Sequence, residues 1–373
     1  MSRDGALDAG GLAVEELVAS GGTVGGGTSR STDPAGPAGR AGSAGSPGST
    51  ATAVSTGTAE MLAAAGNGDR LSLARLLTMV ERGGDGAREV AAAAYRTPAR
   101  ARTIGITGSP GAGKSTLVDK LVSLARSSGS DQVAVIAVDP TSPYSGGAIL
   151  GDRVRMQGHA GDGGVFIRSM ATRGHLGGLS AAVPEAMRLL EACHMDPVIV
   201  ETVGVGQVEI EVASAAGTVV VVVNPGWGDS IQANKAGILE IADILVVNKA
   251  DRPGAKEAVR DLEQMLDMAQ ERTGWRPPVL QTVASTGEGV DALWDEMRRH
   301  DGLSAEGGEL SGRRRSGYER SLTLAFEALL RRSVAEAERS PLYLELLDEM
   351  EAGRMDPYEA AGRLFAASGD SRL

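Results

Sequence analysis

Short, almost continuous runs of Val, Ile and Leu recur along the middle of the chain and alternate with stretches of helical periodicity. Apolar runs of about four to eight residues, bounded by turn residues, are typical of strands buried on both faces. Their alternation with helices predicts an α/β fold, with a mostly parallel sheet covered by helices on both faces. The predicted strands are Ile104–Thr107, Val133–Val138, Val165–Ser169, Val198–Glu201, Thr218–Val223, Ile244–Val247 and Val279–Thr282. The predicted helices in this part lie near 178–194, 230–241, 254–273 and 289–299.

Helical patterns without strands flank this alternation on both sides. Apolar residues recur at helical spacing from residue 58, with a turn and helix cap predicted at 67–69 and a further helix near 87–95. We interpret residues 58–100 as a small helical segment that packs on a nucleotide-binding domain formed by residues 101–302. Residues 303–373 predict two or three helices, which form either a satellite core or a dimerisation arm. One apolar stripe in this last segment comprises Leu322, Leu324, Phe326, Leu329 and Leu330.

Composition changes this picture at the N-terminus and limits the function classes. Residues 1–57 are rich in Gly, Ala, Ser, Thr and Pro, so they cannot bury enough apolar surface to order themselves, and a disordered tail is predicted. The net charge of -11 argues against a nucleic-acid or anionic-membrane binder. A single cysteine, Cys193, excludes an intramolecular disulfide and suits a reducing compartment. Without a signal-peptide pattern or a membrane-length apolar run, the sequence predicts a soluble cytoplasmic protein.

A glycine-rich turn follows the first predicted strand directly and is followed by a helical run. Gly108, Gly113, Lys114 and Ser115 fill the fixed positions of the pattern G-x-x-x-x-G-K-[ST], in the strand–loop–helix context that this phosphate-binding motif requires. Backbone N–H groups of such a loop surround a phosphate, the lysine reaches its outer oxygens, and the hydroxyl ligates Mg²⁺. We expect Lys114 to face solvent when no nucleotide is bound. The nucleotide-binding residues predicted here are Gly108, Ser109, Pro110, Gly111, Ala112, Gly113, Lys114, Ser115 and Thr116.

A second nucleotide signal follows the strand Ile244–Val247. The tetrad Asn248-Lys249-Ala250-Asp251 fits N-K-x-D, in which the aspartate accepts from two donors of guanine that adenine does not offer. Its position at the carboxyl end of a predicted parallel strand is where α/β folds bind ligands. A solvated cluster of loop charges is the alternative. The loop that begins with Ala284 and Ser285, after the last strand, is predicted to cover the guanine face with backbone N–H groups.

Carboxylates at two other strand ends predict the metal site. Glu201 follows Val198–Val200 and precedes Gly204, an arrangement typical of the carboxylate and the glycine that meet Mg²⁺ and the γ-phosphate. Asp139 ends another strand, although Asp-Pro there also suits an ordinary turn, and Asp152 lies in the glycine-rich, switch-like loop 144–156. Val205 stands where a water-orienting glutamine would follow the glycine in Ras-like enzymes, so slow intrinsic hydrolysis is expected.

Four long segments, residues 108–116, 138–153, 201–207 and 231–240, carry a family resemblance. They resemble the MeaB/ArgK/MMAA family, the G-protein chaperones of adenosylcobalamin-dependent acyl-CoA mutases. The resemblance covers roughly residues 59–370 and implies a homodimer joined by C-terminal helices, Mg·GTP binding and slow GTP hydrolysis accelerated by the mutase. It also implies gating of cofactor delivery and exclusion of damaged cofactor. Asp229 and Lys235 match a third switch-like segment that responds to the mutase, although Lys235 is alternatively a helix-surface lysine.

Two other functions remain open at this point. A P-loop kinase of the ArgK type would need an acceptor site and a base, but no guanine selectivity. A nickel-enzyme metallochaperone GTPase would need a His- or Cys-rich site, and the four histidines and Cys193 show no metal-ligand spacing. The partner mutase, whether of the methylmalonyl, ethylmalonyl or isobutyryl type, cannot be chosen from these residues.

Overall fold

A parallel sheet organises the described part of the chain, and all seven predicted strands are found in it. The structure is a computed structural model that describes residues 54–98, 101–140, 157–159, 161–172, 178–202, 215–226, 241–268, 275–307 and 309–369. The sheet order is β3-β2-β4-β1-β5-β6-β7, and every recorded pairing is parallel. The strands are β1 Thr103–Gly108, β2 Val133–Pro140, β3 Val165–Thr172, β4 Val198–Thr202, β5 Thr218–Val223, β6 Ile244–Asn248 and β7 Val279–Thr282.

The helices follow the predicted pattern, with shifted ends. The predicted helix 230–241 lies outside the described residues except for Ile241, and 254–273 is described as far as Met268. The helix predicted at 289–299 continues to Gly307, so the predicted boundary at 302/303 falls inside it. The helices are α1 Thr56–Gly66, α2 Arg70–Arg82, α3 Gly84–Arg96, α4 Lys114–Ser127, α5 Gly178–Ala192, α6 Ala255–Met268, α7 Val290–Gly307, α8 Glu309–Ala337, α9 Pro341–Glu351 and α10 Pro357–Gly369.

Alternate residues of the central strands enter different cores, because side chains of a strand point to opposite faces of the sheet. In β4, Ile199 packs with α4 and α7 on one face, whereas Val198 and Val200 pack with α5 on the other. A third cluster joins β5 and β6 to α6. Helices therefore cover both faces of the sheet, which confirms the predicted fold class.

The N-terminal helices share a core with the sheet and are more than an appendage. Leu73, Leu76 and Leu77 of α2 are fully buried in the same cluster as Ile136 of β2 and Val200 of β4. The predicted cap at 67–69 is confirmed, since Asp69 accepts hydrogen bonds from the first N–H groups of α2. The predicted tail 1–57 lies outside the described residues as far as residue 53, and its last two residues open α1.

The C-terminal helix α8 runs antiparallel to α3. The rings of Tyr95 and Tyr318 lie 5.9 Å apart at one end, and Arg332 Nη1 lies 2.9 Å from Asp85 Oδ1 at the other. α8 also exposes large apolar side chains, with Leu322 72% exposed. The side chain of Leu324, a member of the predicted stripe, lies outside those described. Among the described residues, no helix combines the length and apolarity needed to cross a membrane.

Candidate functional site

The glycines of the phosphate loop, residues 108–115, hold it against two neighbouring strands. Gly108 ends β1 with a φ of 133°, and a Cβ there would lie 1.9 Å from the carbonyl oxygen of Val222 in β5. Gly113 has a φ of 92°, and its Cβ would lie 2.5 Å from Asn248 Nδ2. Both positions need glycine, because another residue would be strained and would collide. Gly113 is also the N-cap of α4, so the loop leads into a helix N-terminus, where the partial positive charge favours a phosphate.

Lys114, the first residue of α4, does not face solvent. It is 6% exposed, and its Nζ donates to the carbonyl oxygens of Gly108 at 2.8 Å and Ser109 at 3.0 Å. The expectation of a solvent-facing ammonium is therefore wrong. The physical reason is that a buried ammonium needs hydrogen-bond acceptors, and the loop folds its own carbonyls around it.

Side chains from the end of β6 and from the residue after it hold the next carbonyls of the loop in the same way. Asn248 Nδ2 donates to the carbonyl of Ala112 at 2.7 Å, and Lys249 Nζ donates to the carbonyl of Gly111 at 2.6 Å. Together with Lys114, these donors engage the carbonyls of residues 108, 109, 111 and 112. Carbonyls that are held by side chains cannot turn toward an anion, so the loop can present its N–H groups to one.

Asn248 also connects the phosphate loop to the loop that follows β7. Its side chain is buried at 1% exposure, and its Oδ1 accepts from Thr282 Oγ1 at 3.1 Å and from the backbone N–H of Ala284 at 3.0 Å. This places Ala284 beside the tetrad. Asp251 and Ser285 are exposed at the same edge. The structure thus brings the phosphate loop, the N-K-x-D tetrad and the last loop together at the carboxyl ends of β1, β6 and β7.

A family model matches the part of the chain that carries these motifs. The model described as "Methylmalonyl Co-A mutase-associated GTPase MeaB" matches residues 73–338, which is more than half of the chain. The chain belongs to the MeaB family. It is accordingly a P-loop GTPase.

Individual relatives agree with this assignment. A protein of Pyrococcus abyssi, named as a candidate GTPase, is 46% identical over 301 residues, covering 80% of this chain and 93% of the relative. GTPase ArgK of Escherichia coli is 43% identical over 195 residues, covering 51% of this chain and 59% of that protein. A solved structure titled LAO/AO transport system kinase has a TM-score of 0.61 and 28% identity, covering 84% of this chain and 98% of that one. Its likeness supports the P-loop α/β fold.

The candidate metal residues of this MeaB-family chain meet in part. Ser115 Oγ donates to Glu201 Oε1 at 2.6 Å, and both side chains are buried beside the phosphate loop. Two adjacent oxygen ligands fit Mg²⁺, which prefers oxygen and commonly takes one or two protein groups plus nucleotide phosphates. Asp139 lies at the end of β2, next to β4, but its side chain is outside those described.

Several predicted site residues lie outside the described residues altogether: Asp152, Gly204, Asp229 and Lys235. Within the described part of the site, sequence reasoning missed Thr282, whose hydroxyl donates to Asn248 and whose own exposure is 0%. The signal that was available is a hydroxyl residue at the carboxyl end of a strand, beside a motif residue that needs a donor. The contacts to the loop carbonyls had no such signal, because backbone acceptors are present at every position.

Proposed function

We propose that the site binds Mg·GTP, with the phosphates on the N–H groups of the phosphate loop and with Mg²⁺ between Ser115, Glu201 and the phosphates. The single observation that carries this proposal is the loop whose carbonyls are held by Lys114, Asn248 and Lys249. Mg²⁺ would supply charge neutralisation on the β- and γ-phosphates. Ser115 and Glu201 would hold it, and Lys114, whose ammonium lies at the loop, would add its positive charge beside the phosphate oxygens.

The base preference of the site is assigned to Asp251, with Asn248, Ala284 and Ser285 shaping the surroundings of the base. Asp251→Asn exchanges an acceptor carboxylate for an amide that also donates, which suits xanthine better than guanine. The variant should bind XTP in preference to GTP, measured by calorimetry, because unpaired buried polar groups discriminate strongly between ligands. Asp261→Asn, an exposed aspartate of α6, is the matched control and should keep the preference for GTP. An Asp251→Asn variant with unchanged preference would contradict the assignment.

The biological role proposed is that of a chaperone for an adenosylcobalamin-dependent acyl-CoA mutase, with methylmalonyl-CoA mutase as the leading candidate. It would gate cofactor loading and protect the mutase in the cytoplasm. The family description supports the mutase as partner. A mouse relative named methylmalonic aciduria type A homolog, 36% identical over 220 residues that cover 58% of this chain and 53% of that protein, points in the same direction.

The test is GTP turnover with and without the purified mutase. Val205 offers no side chain to orient water, so basal turnover should be slow and should rise when the mutase binds. Lys235→Ala should keep basal turnover and GTP affinity but lose the acceleration, because Lys235, held by Asp229, is proposed to neutralise charge on the γ-phosphate in the complex. By linkage, it should also remove the difference between GTP and GDP in mutase binding.

The matched control for Lys235 is Lys256→Ala, an exposed lysine at the start of α6. That variant should respond to the mutase like the unaltered protein. A Lys235→Ala variant that responds fully would make it the helix-surface lysine of the alternative interpretation.

A homodimer is proposed to form through the exposed apolar side of α8. Leu322 and Phe326 lie one helical turn apart and are 72% and 55% exposed. Leu322→Glu with Phe326→Glu should give a monomer by light scattering, because two buried charges would face each other across a symmetric interface. A full-length protein that is monomeric at micromolar concentration would contradict the proposal.

The kinase alternative retains one observation, the printed name of the solved relative. Phosphate release from GTP with no phosphorylated acceptor separates the two functions. For the nickel alternative, the described residues contain no group of three or more His, Cys, Asp or Glu side chains that could hold a metal ion, so no observation favours it.

A further inference from the structure

Two threonine hydroxyls form a hydrogen bond inside the apolar layer beneath the candidate site. Thr202 Oγ1 donates to Thr107 Oγ1 at 2.9 Å, and the two residues are 0% and 1% exposed. Neither belongs to the phosphate-loop motif, the N-K-x-D tetrad or the candidate metal ligands. A buried hydrogen bond between two side chains strongly fixes their relative position, because breaking it would leave the hydroxyls without water to replace the lost partner.

The position of this pair in the sheet links it to Glu201. Backbone register between β1 and β4 is recorded as far as Ile106 opposite Glu201, and Thr107 and Thr202 are the next residues on each strand. Glu201 points to the α4 face, where it meets Ser115, so Thr202 points to the opposite face. The hydroxyl pair therefore joins the two strands one residue beyond Glu201, at the edge where the phosphate loop begins.

We propose that the Thr107–Thr202 pair is a positioning device that fixes the end of β4 against β1 and so holds Glu201 beside Ser115. The inference rests on the proposed role of Glu201 toward Mg²⁺. The argument is geometric: a strand end tied on one face cannot twist, and the carboxylate on its other face then keeps its 2.6 Å contact with Ser115. With the tie removed, the last residue of β4 gains freedom, and Glu201 holds a metal ion less well.

Thr202→Val tests the proposal, because valine keeps the shape and removes the donor. GTP turnover is measured against Mg²⁺ concentration, and GDP binding is measured separately in EDTA. The Mg²⁺ concentration for half-maximal turnover should rise about threefold to tenfold, as expected for one hydrogen bond. GDP binding without metal should change less than about twofold, since the phosphate loop is unaltered. Thr202→Ser keeps the hydroxyl and should restore the Mg²⁺ dependence.

Thr218→Val is the matched control. Thr218 is 3% exposed, lies in the same sheet, and has its hydroxyl 2.9 Å from His300 Nδ1, but at the opposite ends of the strands. It should lower stability to urea as Thr202→Val does, with unchanged Mg²⁺ dependence. If Thr202→Val fails to fold, Thr107→Val removes the same bond from the other side, with the same expectation.

Glu201→Gln, in the same assay, separates this inference from the proposal beneath it. If Glu201→Gln alters the Mg²⁺ dependence and Thr202→Val alters only stability, the positioning role is overturned and the metal role stands. If neither variant alters the Mg²⁺ dependence, the metal role of Glu201 fails and the positioning role fails with it.

Discussion

Polar side chains are buried both where the strands of the sheet end and where they begin. At these two places, called here the carboxyl edge and the amino edge, the polar groups are paired differently. At the carboxyl edge, Lys114, Asn248 and Lys249 donate to backbone carbonyls of one loop. At the amino edge, side chains from separate elements bond to one another and to strand ends. Side chains of separate elements also pair at the carboxyl edge, as Ser115 and Glu201 do, but there they surround a loop that can receive a phosphate. The pairs at the amino edge join elements of the fold.

The amino edge is centred on Asp243 and His300. Asp243 Oδ2 accepts from the backbone N–H of Val219 at 2.8 Å, and Asp243 Oδ1 lies 3.5 Å from His300 Nε2. The other nitrogen of that imidazole lies 2.9 Å from Thr218 Oγ1, and Trp275 packs its ring edge-on at 4.8 Å. These contacts attach α7 to the first residues of β5 and β6. We infer that the amino edge serves stability and the carboxyl edge serves binding.

The largest effect should come from Asp243→Ala. Removing this carboxylate takes the acceptor away from the buried N–H of Val219 and from the facing ring nitrogen of His300, and the free energy of unfolding should fall by roughly 2–5 kcal/mol, since each buried donor that loses its acceptor costs about 1–3 kcal/mol. Urea denaturation measures this, with Asp295→Ala as the control, since that α7 carboxylate is 76% exposed and should change stability by less than about 0.5 kcal/mol. Nucleotide affinity of the folded variant should stay unchanged. If the variant lost GDP affinity while its stability stayed unchanged, the inference that the amino edge serves stability and the carboxyl edge serves binding would be wrong.

Lys114→Ala should show the opposite pattern. Loss of the ammonium should weaken GTP and GDP binding at least about tenfold, because charge-assisted phosphate contacts are each worth roughly 1.5–3 kcal/mol. Stability without nucleotide should change little, since the lysine bonds to carbonyls of its own loop. Calorimetry measures the binding, and Lys120→Ala, on the same helix, is the control. Unchanged affinity in a folded Lys114→Ala protein would remove the phosphate role.

Glu185, a carboxyl group on α5, belongs to neither of the two groups compared above. Loss of water on burial disfavours its charged form. Burial raises the pKa of Glu185 from 4.5 to about 7. Since the folded state holds the proton more tightly, stability falls as pH rises from about 4.5 to 7 and the loss is complete above that. Glu185→Gln should therefore be more stable by about 1–3 kcal/mol at pH 8 and no different at pH 4.5.

The measurement for Glu185 is urea denaturation at both pH values. Glu257→Gln, an exposed position in α6, is its control and should show no such pH dependence. An equal effect of Glu185→Gln at both pH values would assign it to packing instead of ionisation.

The strands were predictable because their signal is local. Val219–Val223 is an unbroken valine run, and such a run is stable only when it is covered on both faces. The end of α7 was not predictable in this way. Gly302 resembles a helix stop, yet the helix continues to Gly307, and His300 inside it makes contacts with β5 and with Asp243. Tertiary contacts of this kind override local propensity.

In the candidate site, too, features with a local sequence signal were predictable and features that depend on tertiary contacts were not. The motif positions around Gly113 and Asn248 were predictable, because their spacing is fixed by the chemistry of the nucleotide. The direction of the Lys114 side chain was not, since it depends on where the loop carbonyls lie. Thr202 and Thr107 are far apart along the chain, and no local sequence pattern predicts the hydrogen bond between their hydroxyls.

The central place of β1 has a consequence for how the chain acquires its fold during synthesis. β1 lies between β4 and β5, and Gly108 stands opposite Val222, a residue made more than a hundred positions later. At about 5–20 residues per second, the ribosome needs roughly 5 to 25 seconds to supply that partner. β4, the neighbour on the other side, is made only shortly before, so the middle strand spends most of that time without neighbours and with its apolar residues open to wrong association. The nascent phosphate loop therefore cannot bind a nucleotide until most of the domain has been translated, which makes GTP a ligand of the late folding steps.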